Sequence, residues 1–158
     1  MYQFGQEKSE DLWEVEALYD LCFAPGREAL SSYRLRDGVP PVDRLCRVAR
    51  DPDNILAGAI RYWPIHVGAH DALLLGPVAV HPTRQGEGLG GALMQDSLAI
   101  AWELGWPRVL LVGDAPYYSR FGFTRLDGVE MPPPTNTDRI LGIGDWVGIT
   151  GKVTAWTA

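Results

Sequence analysis

Apolar residues recur along this chain in two rhythms, one of three to four positions and one of two, and their alternation outlines the elements. In "SEDLWEVEALYDLC" Leu12, Val15, Tyr19 and Cys22 share one helical face, while Glu14, Glu16 and Asp20 lie elsewhere on it. The pattern predicts a helix from a cap at Ser9 or Asp11 through Cys22. Pro25-Gly26 stops it, residues 27–36 read as a second short helix, and "DGVPPVD" (37–43) as a turn-rich link. "RLCRVAR" (44–50) reads as a strand, "DPDN" as a turn, and "ILAGAIRYWPI" (55–65) as the return strand of a hairpin. Pro64 should end regular pairing there or sit on an edge. After the turn "GAHD", "ALLLGPVAV" (72–80) is apolar throughout, the mark of a central strand buried on both faces. Gly76-Pro77 interrupts it. Proline donates nothing to a ladder and glycine marks bulges, so this strand is expected to splay from a neighbour here.

A glycine-rich loop follows. Then "GLGGALMQDSLAIAWELG" predicts a helix with Leu89, Leu93, Ile100 and Leu104 in register and Gly105 closing it. "RVLLV" (108–112) is a second buried strand, "APYYSRF" a short helix, "GFTRL" the start of a strand, "MPPPTNTD" (131–138) an irregular loop, and "RILGIG" and "GKVTAW" the last strands. No repeat and no long linker divides the chain, so one domain over residues 1–158 is expected. The element order is that of an α/β domain with a mixed sheet.

Composition narrows the class. With 158 residues, 46% hydrophobic and 22% charged, the chain suits a soluble globular domain with a full core. Its net charge of −6 repels phosphate backbones, so no nucleic acid is expected as the main partner. Arg27, Arg34, Arg36, Arg44, Arg47 and Arg50 lie close in sequence but read as arginines scattered over a solvated face. Cys22 and Cys46 have apolar flanks and no metal-type spacing, which predicts buried free thiols and no metal. The N-terminus lacks a basic-then-apolar leader and no apolar run is long enough to span a membrane, so no membrane partner and a cytoplasmic setting are expected.

The loop "RQGEGLGG" carries the candidate chemistry. A glycine loop between a strand and a helix suits a phosphate, because glycine adopts positive φ and lets backbone amides approach an anion at the helix N-terminus. Gly86 to Gly91 has the first spacing of a nucleotide P-loop, but Ala92-Leu93 stand where a lysine and a hydroxyl are needed, which excludes it. Gly86-x-Gly88-x-x-Gly91 also matches a dinucleotide fingerprint, so an NAD-binding protein stays as a remote alternative. Against it, His81–Gln85 separate the strand from Gly86, and too little chain follows Asp114 for the rest of a doubly wound fold.

"VAVHPTRQGEGLGGALM" resembles the acetyl-CoA-binding motif of the GNAT N-acetyltransferase superfamily, Gln/Arg-x-x-Gly-x-Gly/Ala, with Gln85, Gly88 and Gly90 filling it. "GDAPYYSRFGF" resembles the family's later motif, in which a tyrosine stands four residues before Gly-Phe, as Tyr118 does before Gly122-Phe123. The resemblance implies a GNAT-like, mostly antiparallel central sheet flanked by helices, with a splayed central strand. It implies that Arg84, Gln85, Gly86, Glu87, Gly88, Leu89, Gly90 and Gly91 surround the coenzyme pyrophosphate. A carboxylate suits an anion site badly, so the Glu87 side chain is expected to turn to solvent. Pantetheine would pair with Val78, Ala79 and Val80, and Tyr118 would protonate the departing thiolate. The family's asparagine after the later strand is absent; Gly113-Asp114 stands there, and Asp114 is the candidate coenzyme contact. The implied function is acetyl transfer from acetyl-CoA to a primary amine of a small molecule or peptide, by direct attack in a ternary complex. A non-catalytic acyl-CoA-binding or sensor protein is the alternative, and a homodimer is left open. No base is readable, since "ALLLGPVAV" has no glutamate; His66, His70, Asp71 and His81 lie near strand ends. Trp63 and Trp146 suit a pocket wall or a core equally, and the acidic first helix suits either a cationic amine or solvent.

Overall fold

The computed structural model describes residues 1–23 and 31–157. The Pro25-Gly26 stop and the first four residues (27–30) of the expected second helix lie outside them. The chain forms two compact units, the first made of Met1–Arg27, Val42–Tyr62 and Gly76–Leu104. There β1 (Gln3–Gln6) pairs antiparallel with β2 (Arg47–Arg50), which pairs antiparallel with β3 (Leu56–Val67). Neither β1 nor its pairing was legible, because QFGQ has one large apolar side chain and no alternation.

Helix α1 (Leu12–Phe23) buries Val15, Leu18 and Tyr19 against Val48, Leu56, Ala59 and Ala79. Leu12 was expected on that face but is 53% exposed. It sits in the first turn, at the rim of the stripe that Val15, Leu18, Tyr19 and Cys22 define. Helix α3 (Leu89–Glu103) buries Leu89, Leu93, Met94, Leu98 and Ala101. Ile100 is only half-buried and Leu104 is exposed, which corrects the predicted register. Ser97 takes the core position instead. Its hydroxyl donates to the Leu93 carbonyl at 2.7 Å and lies 2.7 Å from the Tyr62 hydroxyl, so its burial leaves no polar atom unmet. Gly105, at φ +89, follows the helix as expected.

The two helices lie on opposite faces of β3, because Ala59 packs under α1 while Gly58 faces Leu89 and Leu93 of α3. A Cβ on Gly58 would stand 2.8 Å from Leu93 Cδ1 and 3.2 Å from the Ala79 carbonyl oxygen. Gly58→Val should therefore lower stability by about 2–3 kcal/mol, read from the midpoint of urea unfolding; an unchanged midpoint would show that α3 can ride outward freely.

Both β3 and β4 (His70–Val80) continue into the second unit, which takes Glu28–Pro41, Trp63–Leu75 and Gly105–Ala158. Here β4 pairs parallel with β5 (Arg108–Val112), and β5 antiparallel with β8 (Ile140–Gly144), which also takes β6 (Thr124–Arg125). β9 (Gly151–Ala155) pairs antiparallel with β3 and parallel with β7 (Val129–Glu130). Trp63, Ile65, Val67, Leu74, Leu110, Ile140 and Val153 form its core. Short helices α2 (Ser31–Arg34) and α4 (Ala115–Tyr118) complete it. Pairing is mostly antiparallel, so the α/β class with a mixed sheet is the one observed.

β3 runs through Pro64, which is buried, but regular pairing on one side of the strand does lapse there as expected. The ladder to β2 ends at Ile60 and that to β9 begins at Ile65, so Pro64 falls in the interval where its missing N–H costs no bond. The Gly76-Pro77 interruption coincides with the end of another ladder. β4 pairs with β5 at Leu73 and Leu74, and among the described residues no further.

Candidate functional site

The first group of candidate residues grows from the end of β4. The His81 amide donates to the Ala57 carbonyl at 2.8 Å and holds the strand end to β3. His81 Nδ1 accepts from the Thr83 amide at 3.2 Å, which makes it a cap for the turn Pro82–Arg84. Gly86 (φ +87) and Gly88 (φ +79) are left-handed, and a Cβ at either would meet nothing within 4 Å. Backbone conformation, not crowding, requires glycine there. Gly88 immediately precedes α3, so the amides of Leu89, Gly90 and Gly91 lie in the first turn, where no carbonyl four residues back can accept from them. They form the positive end of a fifteen-residue helix.

The charges beside this turn are committed. The Arg84 guanidinium pairs with Asp51, whose side chain is 2% exposed. The other Asp51 oxygen accepts from the Asp53 and Ile55 amides at 2.9 and 3.0 Å, so the first residue of "DPDN" organises both its own turn and Arg84. Glu87 is exposed and accepts from the Tyr2 hydroxyl at 2.5 Å. Gln85 Nε2 reaches the Val80 carbonyl at 3.4 Å. The turn signal marked Asp51 without revealing its partner; nothing in the sequence marked Tyr2.

Val78 and Val80 are half-buried and Ala79 is buried against α1. The Pro77 carbonyl accepts from the Tyr19 hydroxyl and the Val80 carbonyl from Cys22 Sγ, each at 3.4 Å, so side chains of α1 meet these carbonyls. Cys22 and Cys46 are free, and burial pushes the Cys46 thiol up to about 11.

The second half of the candidate set lies after β5. Asp114 caps α4, its carboxylate accepting from the Tyr117 amide at 3.0 Å. Tyr118 ends that helix, with its ring edge-on to Tyr117 at 4.9 Å and to Phe123 at 6.0 Å. Gly122 (φ +98) turns the chain back, and the Phe123 amide donates to the Tyr118 carbonyl at 3.3 Å. Among the described residues the Tyr118 hydroxyl has no hydrogen-bond partner. Burial, with Tyr117 and Asp114 nearby, raises its pKa above the ordinary tyrosine value. Gly113 was not foreseen as a determinant, yet a Cβ there would stand 2.5 Å from Tyr118 Cε2.

The remaining candidates are engaged elsewhere. Trp63 is a core residue donating to the Val39 carbonyl, and Trp146 packs on the same core and donates to the Ile143 carbonyl. His66 stacks on Trp156 and pairs with Asp71, near the end of β3 and the start of β4, with Asp71 nine positions from Val80 along β4. On α1, Glu14 pairs with Arg50 and Glu16 with Arg61, so these carboxylates do not stand open to an amine. Among the described residues, no three His, Cys, Asp or Glu side chains gather as a metal ion would need, and no helix is long and apolar enough to cross a membrane.

Residues 43–125 match the model of the Acetyltransferase (GNAT) domain, and the chain belongs to that family. Among its relatives is the uncharacterized N-acetyltransferase YhbS of Escherichia coli, 33% identical over 112 residues, which are 69% of this chain and 65% of that protein. The crystal structure of YhbS in complex with CoA superposes with a TM-score of 0.83 at 27% identity, covering 98% of this chain and 89% of that one. A GNAT family acetyltransferase from Brucella melitensis, in complex with acetyl-CoA, gives 0.74 at 26% identity over 100% and 97% of the two chains.

Proposed function

We propose that this chain is an N-acetyltransferase that moves an acetyl group from acetyl-CoA to a primary amine, of a small molecule or a peptide, by direct attack in a ternary complex. The observation that carries this reading is the left-handed Gly86–Gly88 turn at the head of α3, whose unpaired amides and helix dipole suit a diphosphate. The relatives bound to CoA and acetyl-CoA support the same ligand. In this proposal Gln85, Gly86, Glu87, Gly88, Leu89, Gly90 and Gly91 wrap the pyrophosphate, and Arg84 supplies a charge already offset by Asp51. Val78, Ala79 and Val80 offer backbone to pantetheine along a stretch of β4 beyond its ladder to β5. Asp114 serves through the α4 cap that presents Tyr118.

The neutral amine attacks the thioester carbonyl, forming a C–N bond and a tetrahedral oxyanion that a β4 amide can stabilise. Collapse breaks the C–S bond, the Tyr118 phenol gives its proton to the leaving thiolate, and the amine proton departs through water. A raised pKa keeps the phenol protonated at neutral pH, the state an acid needs.

Calorimetric titration with acetyl-CoA, and in parallel with NADH, tests the ligand. Acetyl-CoA should bind saturably. Gly88→Ala should weaken it by up to about five- to thirtyfold, because a left-handed non-glycine residue costs about 1–2 kcal/mol. Binding of NADH alone would sink the reading.

A further inference from the structure

We infer that Tyr2 is a positioning residue for the coenzyme: its hydroxyl clasps the Glu87 carboxylate and keeps that charge off the amide cradle at the head of α3. The inference rests on the acetyl-CoA reading above. Glu87 stands between two left-handed glycines, so its backbone lies inside the cradle and only the direction of its side chain can remove the charge. The need is real, because Arg84, Asp51 and Glu87 together leave the turn one negative charge where a diphosphate is to sit.

The clasp is built by the fold rather than by a chance surface contact. In the ladder of β1 with β2, Gln3 stands opposite Arg50, which brings Tyr2 to the level of Asp51. Asp51 holds Arg84, and the Arg84 guanidinium lies over the Tyr2 ring at 5.8 Å from its centre. From there the phenol oxygen reaches Glu87 Oε1 at 2.5 Å. One aromatic side chain thus touches both charges of the turn. The hydrogen bond to Glu87 also raises the phenol's pKa, which keeps it a donor at neutral pH. Losing the hydroxyl would free the carboxylate to swing toward the cradle, where like charge repels the ligand.

Steady-state kinetics on Tyr2→Phe, Glu87→Gln and the double variant test this. Tyr2→Phe should raise KM for acetyl-CoA about three- to tenfold at low salt with kcat unchanged, and the rise should shrink at high salt. In the Glu87→Gln background the same change should have no effect, since no charge is left to restrain. A rise of equal size in both backgrounds, or none in either, overturns the clasp while leaving the acetyl-CoA reading intact. Failure of the wild-type protein to bind acetyl-CoA overturns both.

Discussion

Tyr118→Phe should lower kcat for acetyl transfer about a hundredfold or more and leave the Kd for acetyl-CoA within about twofold. The change removes one oxygen from a ring held by its edges against Tyr117 and Phe123, so packing is nearly conserved. Since no described residue hydrogen-bonds that oxygen, no partner is orphaned, and the loss reports chemistry rather than folding. The pH profile separates the two further. Burial is the largest cause raising the phenol's pKa. In the wild type kcat should therefore hold through the ordinary tyrosine range near 10 and fall only above it. The same shift carries a stability term, present in full below the unfolded-state value and lost as pH rises through the higher folded value. The phenylalanine variant should lack both the alkaline limb and that term. Unchanged kcat would remove Tyr118 as the acid, and wild-type binding of acetyl-CoA without turnover on any amine would favour the acyl-CoA-binding alternative.

Gly113→Ala should cost about tenfold or more in kcat by displacing Tyr118. The added carbon would stand 2.5 Å from Tyr118 Cε2, 3.0 Å from Cδ2 and 3.1 Å from Leu111 Cδ1. The ring has little room to retreat, because Tyr117 and Phe123 flank it. Accommodating the methyl means rotating the phenol away from its place at the end of α4 or bending the β5–α4 connection, at about 1–3 kcal/mol of stability. The effect should vanish on kcat in the Tyr118→Phe background, because the misplaced ring then carries no acid. Full kcat in the single variant would show that the ring tolerates displacement. The same crowding accounts for a residue without a side chain at 113.

How much of this was legible varies from element to element. The helix following the glycines was, because leucines at helical spacing have few other uses; its exact buried stripe was not, since Ser97 enters the core only once Tyr62 is there to receive its hydroxyl. The hairpin strand was read, and Pro64 was expected to end regular pairing or sit on an edge; β3 instead runs on through it, in a gap between two ladders. A proline's cost depends on which neighbour would have received the bond, and strand partners two ladders apart are not visible in a local pattern.

Local chemistry was determined by the sequence alone: the φ demands of Gly86 and Gly88, the free amides at the head of a helix, the spacing of Tyr118 from Gly122-Phe123, and with them the family. These depend on residues within a few positions of one another. The tertiary structure decided where the charges go. Arg84 is answered by Asp51, Glu87 by Tyr2, Glu14 and Glu16 by Arg50 and Arg61, and the space beside Tyr118 by the bare backbone of Gly113. Most of these pairings join residues more than thirty positions apart. An ion pair or a steric limit acts over a few ångströms of space, whatever the distance along the chain, and only folding brings such partners within that range.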